Sequence, residues 1–73
     1  MQQFVTIGRN VFFLNEEKQI VKGFCVDDPL QRFIPVKAET KEPVLISKEY
    51  LRIALSRKKV ELKKVAKSVY DQI

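Results

Sequence analysis

Apolar and polar positions change rhythm about two-thirds of the way along the chain. Phe4-Val5-Thr6-Ile7, Val11-Phe12-Phe13-Leu14, Ile20 to Val26 and Arg32 to Val36 are short runs rich in β-branched and aromatic residues. That composition fits a pleated, half-buried surface. Polar turn chemistry separates the runs. Asn15-Glu16-Glu17-Lys18 suits a four-residue hairpin connection, and Asp27-Asp28-Pro29-Leu30 suits a turn with Pro at a central position. Gly8 with Asn10 suits a bulge or a tight turn. Pro35 has no N–H to donate, which predicts an edge strand or a bulge for the fourth run. Val44-Leu45-Ile46 adds a short strand or an extended lead-in. The expected product is a small antiparallel β-meander of three to four strands over residues 3–46.

From Val44 onward there is neither Gly nor Pro. Ser47 stands before an apolar-periodic stretch with Glu49 in the first turn, the signature of an N-cap. Leu51, Leu55, Leu62, Val65, Ala66, Val69 and Ile73 fall on one side of a 3.6-residue wheel. Ile53 and Val60 would face solvent on that wheel, and Lys58 would sit in its apolar stripe. Two helical pieces, roughly 47–56 and 59–72, accommodate the conflict. One long helix of about 40 Å is the alternative. The expected class is therefore α+β, a single domain over 1–73 in which the sheet is followed by one kinked or two short C-terminal α-helices over residues 47–72.

Size narrows the options. A chain of 73 residues buries only about 60% of its unfolded surface, so its core is small. One cysteine and no histidine exclude an internal disulfide and a Cys/His zinc site, and no cofactor or metal is expected. Dimerisation or docking on a partner is the remaining route to extra burial. The first residues lack the basic and apolar regions of a signal peptide, and the longest apolar run, Val11 to Leu14, is far short of the roughly 20 residues that span a bilayer. With a lone thiol, these features set the expectation of a soluble cytoplasmic protein with no membrane partner.

Charge then singles out the last third. Residues 47–73 carry eight Lys or Arg against three acids, whereas residues 1–46 carry six of each. The whole net charge of +5 is thus a C-terminal property. On a continuous helical wheel Arg52, Lys59, Lys63 and Lys67 share one flank, with Arg57 and Lys64 across the polar arc. A surface of that kind can meet the phosphates of DNA or RNA, or an acidic protein partner. Lysine dominates the set, which favours charge contact over base reading. The expectation depends on those residues being displayed on helix. Arg9, Lys22, Arg32 and Lys37 are balanced by nearby acids and read as scattered solvated charge.

Phe12 and Phe13 are the second informative pair. Strand neighbours point to opposite faces, so both rings cannot enter one core. One should meet the helix layer, and the other a second layer, a partner or solvent, where it could stack bases. Cys25, flanked by Phe24 and Val26, reads as a small core residue. Ser56-Arg57-Lys58-Lys59 matches a Ser-x-x-Lys pattern, but 73 residues cannot build the fold and further motifs that surround it in acyl-enzyme hydrolases. Asp27-Asp28 and Glu16-Glu17 lie in turns, and no Gly-rich phosphate loop exists. No catalytic residue is assigned, and the chain is not expected to be an enzyme.

The strand pair Val11 to Val26, with Gly23 and the following Asp27, resembles small RNA-binding barrels of the Sm-like kind. The turn lacks that family's glycine and the helix stands at the opposite end, so no residue role is carried over. Two functions compete. The first is a small regulatory protein binding nucleic acid through a basic C-terminal helix. The second is an interaction module or inhibitor docking on an acidic partner surface, with Phe12 or Phe13 as an aromatic anchor. A homodimer fits either.

Overall fold

A computed structural model describes residues 3–73. Four strands follow one another in the first half: β1 (Gln3–Ile7), β2 (Asn10–Leu14), β3 (Gln19–Cys25) and β4 (Asp28–Lys37). They pair antiparallel, each with the next. A two-residue β5 (Ile46–Ser47) leads into α1 (Lys48–Ser56), then come β6 (Val60–Lys64) and a single turn of helix, α2 (Lys67–Tyr70). The sheet order is β1-β2-β3-β4-β6, with β5 paired to the opening stretch of β3. The class is α+β, a meander with one helix near the C-terminus and a short second one.

Each turn has a local cause. Gly8 and Arg9 connect β1 to β2, Gly8 taking a left-handed φ of 61° that suits glycine in a tight hairpin. Between β2 and β3 the expected four-residue connection forms. The Asn15 side-chain oxygen accepts the backbone N–H of Glu17 (3.0 Å) and of Gln19 (2.9 Å). The β3–β4 turn falls on Val26 and Asp27, earlier than the proline predicts, so Pro29 lies inside β4. Val26 N–H donates to the Arg9 carbonyl, and the Arg9 guanidinium pairs with the Asp27 carboxylate, tying the two turns together. That contact raises the Arg9 pKa above its ordinary value.

Strand β4 changes partners along its length, which explains Pro35. Pairing with β3 reaches Phe33, and from there β4 continues against β6, with Pro35 opposite Leu62. On its other side the chain segment 42–44 replaces β3: Val44 N–H donates to the Pro35 carbonyl and Lys37 N–H to the Glu42 carbonyl. The proline therefore sits where its strand has no neighbouring strand to receive an N–H on that side.

The core lies between one face of the sheet and α1. Phe12, Ile20, Phe33, Leu51 and Val60 are buried together, with Val5, Ile7, Cys25, Leu55 and Leu62 packed against them. The Phe12 and Phe33 rings lie 5.7 Å apart. Gly23 is opposite Phe12, and a Cβ there would stand 2.5 Å from the Val11 carbonyl oxygen and 2.6 Å from the Phe12 ring. Only glycine lets that ring lie across the neighbouring strand. Ser47 caps α1 as expected, its Oγ accepting Tyr50 N–H at 3.3 Å.

The second helical piece expected over 59–72 is divided: its first part forms β6 (Val60–Lys64), and only the single turn α2 (Lys67–Tyr70) is helical. Helix α1 stops at Arg57 because Lys58 turns left-handed, with φ 57°. Lys59 N–H then donates to the Ala54 carbonyl and Lys58 N–H to the Leu55 carbonyl, the paired bonds of a Schellman C-cap. Lysine stands where glycine usually does, so nothing in the residue types marks the stop. Beyond it Val60-Glu61-Leu62-Lys63 alternates with period two, and Val60 and Leu62 reach the core. Val65 and Ala66 are extended, and α2 buries Tyr70 while Val69 and Ile73 remain exposed.

Candidate functional site

Alternation along β2 sends Phe12 inward and Phe13 to the outer face. Residues directly opposite in a ladder share a face. Phe4 pairs with Phe13 and Phe13 with Lys22, giving one outer row. Val11 pairs with Phe24 and Phe24 with Arg32, giving the next. The Phe13 and Phe24 rings are 5.9 Å apart, inclined by 38°. Phe4 is 62% exposed at the edge of the same surface. Three phenyl rings and two cations thus share one side of the sheet.

Helix α2 covers the β4 end of this surface. The Lys22 ammonium lies 4.5 Å from the Tyr70 ring centre and donates to the carbonyls of Tyr70 (3.2 Å) and Ile73 (3.0 Å). The Tyr70 carbonyl, at the end of α2, is one of the orphan acceptors that a helix terminus leaves without an intrahelical partner. The Arg32 guanidinium lies 5.9 Å from the same ring. Phe13, Phe24, Pro29, Arg32, Tyr70 and Asp71 line a shallow hollow of about 330 Å³ between helix and sheet. Lys63, opposite Ile34, shares the outer face of β4 and β6.

Tyr70 is anchored at a cost. Its hydroxyl oxygen is buried without a hydrogen-bond partner among the described residues, a defect worth about 1–3 kcal/mol. Burial raises the phenol pKa, opposed by the nearby Arg32 charge. The folded state therefore holds this proton more tightly than the unfolded chain does. Its contribution to stability is complete below the unfolded value of about 10 and falls as pH rises through the folded value. Tyr70→Phe should leave stability at pH 7 unchanged or raise it by about 1 kcal/mol. It should also remove part of the alkaline loss, which urea melts of both proteins at neutral and alkaline pH would register.

The cations expected on one helical wheel are divided among three elements. Arg52 is exposed on α1, Arg57 is its C-cap and Lys59 lies in the following turn. Lys63 and Lys64 are in β6, and Lys67 is on α2, 3.4 Å from Asp71. The basic helix with a single flank is thereby corrected: the core-facing demands of Val60 and Leu62 draw its middle into the sheet. The outer face receives Lys63, while Arg52 and Arg57 belong to the helix packed on the opposite face. Among these cations and Lys48 and Lys58, only Lys67 makes an ion pair among the described residues, with an acid of its own segment.

Phe12, at 1% exposure, is a core residue with no surface to offer, whereas Phe13 is half-buried on the outer face. Phe4, Phe24, Lys22, Arg32 and Tyr70 were not distinguished by the sequence reading as members of one surface. The signal was strand parity: Lys22, Phe24 and Phe13 fall on one face once the β2–β3 register is known. Among the described residues no helix is long and apolar enough to cross a membrane. Comparison with protein-family models, curated proteins and solved structures finds no match for this chain.

Proposed function

We propose that the protein is a non-enzymatic regulatory module that binds single-stranded nucleic acid on the outer face of its sheet. Phe13, Phe24 and Phe4 stack bases, and Arg32 and Lys63 take adjacent phosphates. The observation that carries this reading is the phenyl cluster set beside cations on the sheet face opposite α1, with Phe4 exposed at its edge and Phe13 and Phe24 half-buried. Aromatic rings on a strand surface accept any base by its π-face, at about 1–3 kcal/mol per stacked base. Duplex bases are already stacked and cannot be splayed over such rings, so unpaired strands are the matching ligand. The cations on α1 and its following turn supply long-range attraction, which accelerates encounter without reading sequence.

Fluorescence anisotropy with a labelled single-stranded oligonucleotide, and with the same sequence as a duplex, tests this. The single strand should bind more tightly, with log affinity falling linearly in log salt by about 0.7 per phosphate contacted. Replacing Arg32 and Lys63 by Gln should make that slope shallower by roughly 1.4. Replacing Arg52 and Arg57 by Gln should change it much less. If the duplex binds as well as the single strand and the slope responds only to Arg52 and Arg57, the sheet face is not the site.

A further inference from the structure

A wider hollow, of about 600 Å³, lies on the helix side of the molecule, between the chain leading into β5 and α1. Tyr50, Ile53, Ala54 and Arg57 line it at i, i+3, i+4 and i+7, one continuous stripe of the helix. Leu51 and Leu55 of the same helix face the core. Helix α1 thus has two apolar stripes, and the fold covers one of them. Leu45 completes the opposite wall. Leu45, Tyr50 and Ile53 are 56%, 68% and 47% exposed, so three large apolar side chains converge on one concavity. A contiguous apolar patch of that kind marks an interaction surface, in contrast with singly scattered exposed residues.

Charge narrows the occupant. Arg57 and Lys59 line the hollow against one acid, Glu17. From Lys48 to Lys59 the chain carries five cations and only Glu49 as an acid. A second copy meeting this face about a two-fold axis would bring like charge onto like charge. Nucleic acid would leave the Tyr50–Ile53 stripe unused. The walls also exclude an added strand, because α1 satisfies its own backbone and β5 is only two residues long. We propose that this groove receives an amphipathic helix of a partner protein, apolar on one face and acidic along its flanks. Tyr50 and Ile53 are its anchors, and Arg57 and Lys59 pair with its carboxylates. The site is separate from the nucleic-acid face and does not depend on it.

The probe is a lactam-stapled peptide of about four turns, with Leu at i, i+3, i+4 and i+7 and Glu on both flanks. A control peptide carries Lys in place of Glu. Titrated into the isotope-labelled protein, the acidic peptide should shift the amide resonances of Leu45, Tyr50, Ile53 and Ala54. It should bind about tenfold or more tightly than the Lys peptide. Ile53→Glu should weaken binding about tenfold or more without moving the thermal midpoint. Arg57→Glu with Lys59→Glu should reverse the preference between peptides. Equal affinity for the two peptides would overturn the proposal, as would no saturation by about 1 mM. Shifts confined to Phe13 and Phe24 would also overturn it, as would sedimentation showing that the groove is buried in a dimer.

Discussion

Replacing Phe12 by Ala should remove most of the protein's stability, by about 3–5 kcal/mol, and leave a substantial unfolded population at 37 °C. The ring is buried under α1 against Phe33, and it crosses Gly23 on the neighbouring strand. Gly23, which the ring lies across, has no side chain to move into the void. Small domains draw on roughly 5 kcal/mol of net stability, so one such cavity decides whether the fold persists. A urea melt of Phe12→Ala shifted by less than about 1.5 kcal/mol would mean that the core collapses around the site, contrary to this packing.

The adjacent residue should behave in the opposite way. Phe13→Ala combined with Phe24→Ala should leave a folded protein with native far-ultraviolet circular dichroism. Its affinity for a single-stranded oligonucleotide should fall by about 2–6 kcal/mol, which is roughly thirtyfold at the least. Both rings are half-buried on the outer face and contribute little to the cluster around Phe12. Their removal takes away the stacking surface while Arg32 and Lys63 keep their charge. The salt slope should therefore stay as it is while the affinity drops at every salt concentration. A folded double variant with unchanged affinity would dispose of the stacking role. The contrast between Phe12 and Phe13, adjacent in sequence and opposite in consequence, is the most direct check on how the strand alternates.

Much of the fold was legible because local chemistry and tertiary demand agree. The four strands, the Asn15-to-Lys18 connection and the Ser47 cap all follow from residue types whose backbone preferences match their final positions. The end of the chain is where the two diverge. Leu62 fits a helical wheel and a strand alternation alike, and four residues are too few for periodicity alone to choose. The deciding event is the left-handed Lys58, a conformation that costs a lysine about 1–2 kcal/mol and carries no glycine to announce it. Val60 gave a partial warning, since a wheel leaves it in solvent and the strand buries it. Ile53 gave the same warning, and in its case the solvent position was real. The outer face stayed hidden for another reason. It depends on the β2–β3 register, which shifts at Phe13 and Leu14 and so cannot be counted off from the hairpin alone.

The change of partners along β4 has a further consequence. Arg32 belongs to the phenyl-bearing surface, and the Pro35 carbonyl three residues later fixes Val44, which lines the hollow beside α1. Those two points are separated by about 10 Å of one extended strand, with no hinge or linker between them. A strand of nucleic acid and a partner helix bound together would be held at a set distance and angle. The molecule would then act as a rigid coupler, and lengthening β4 by two residues would displace one passenger relative to the other without touching either contact.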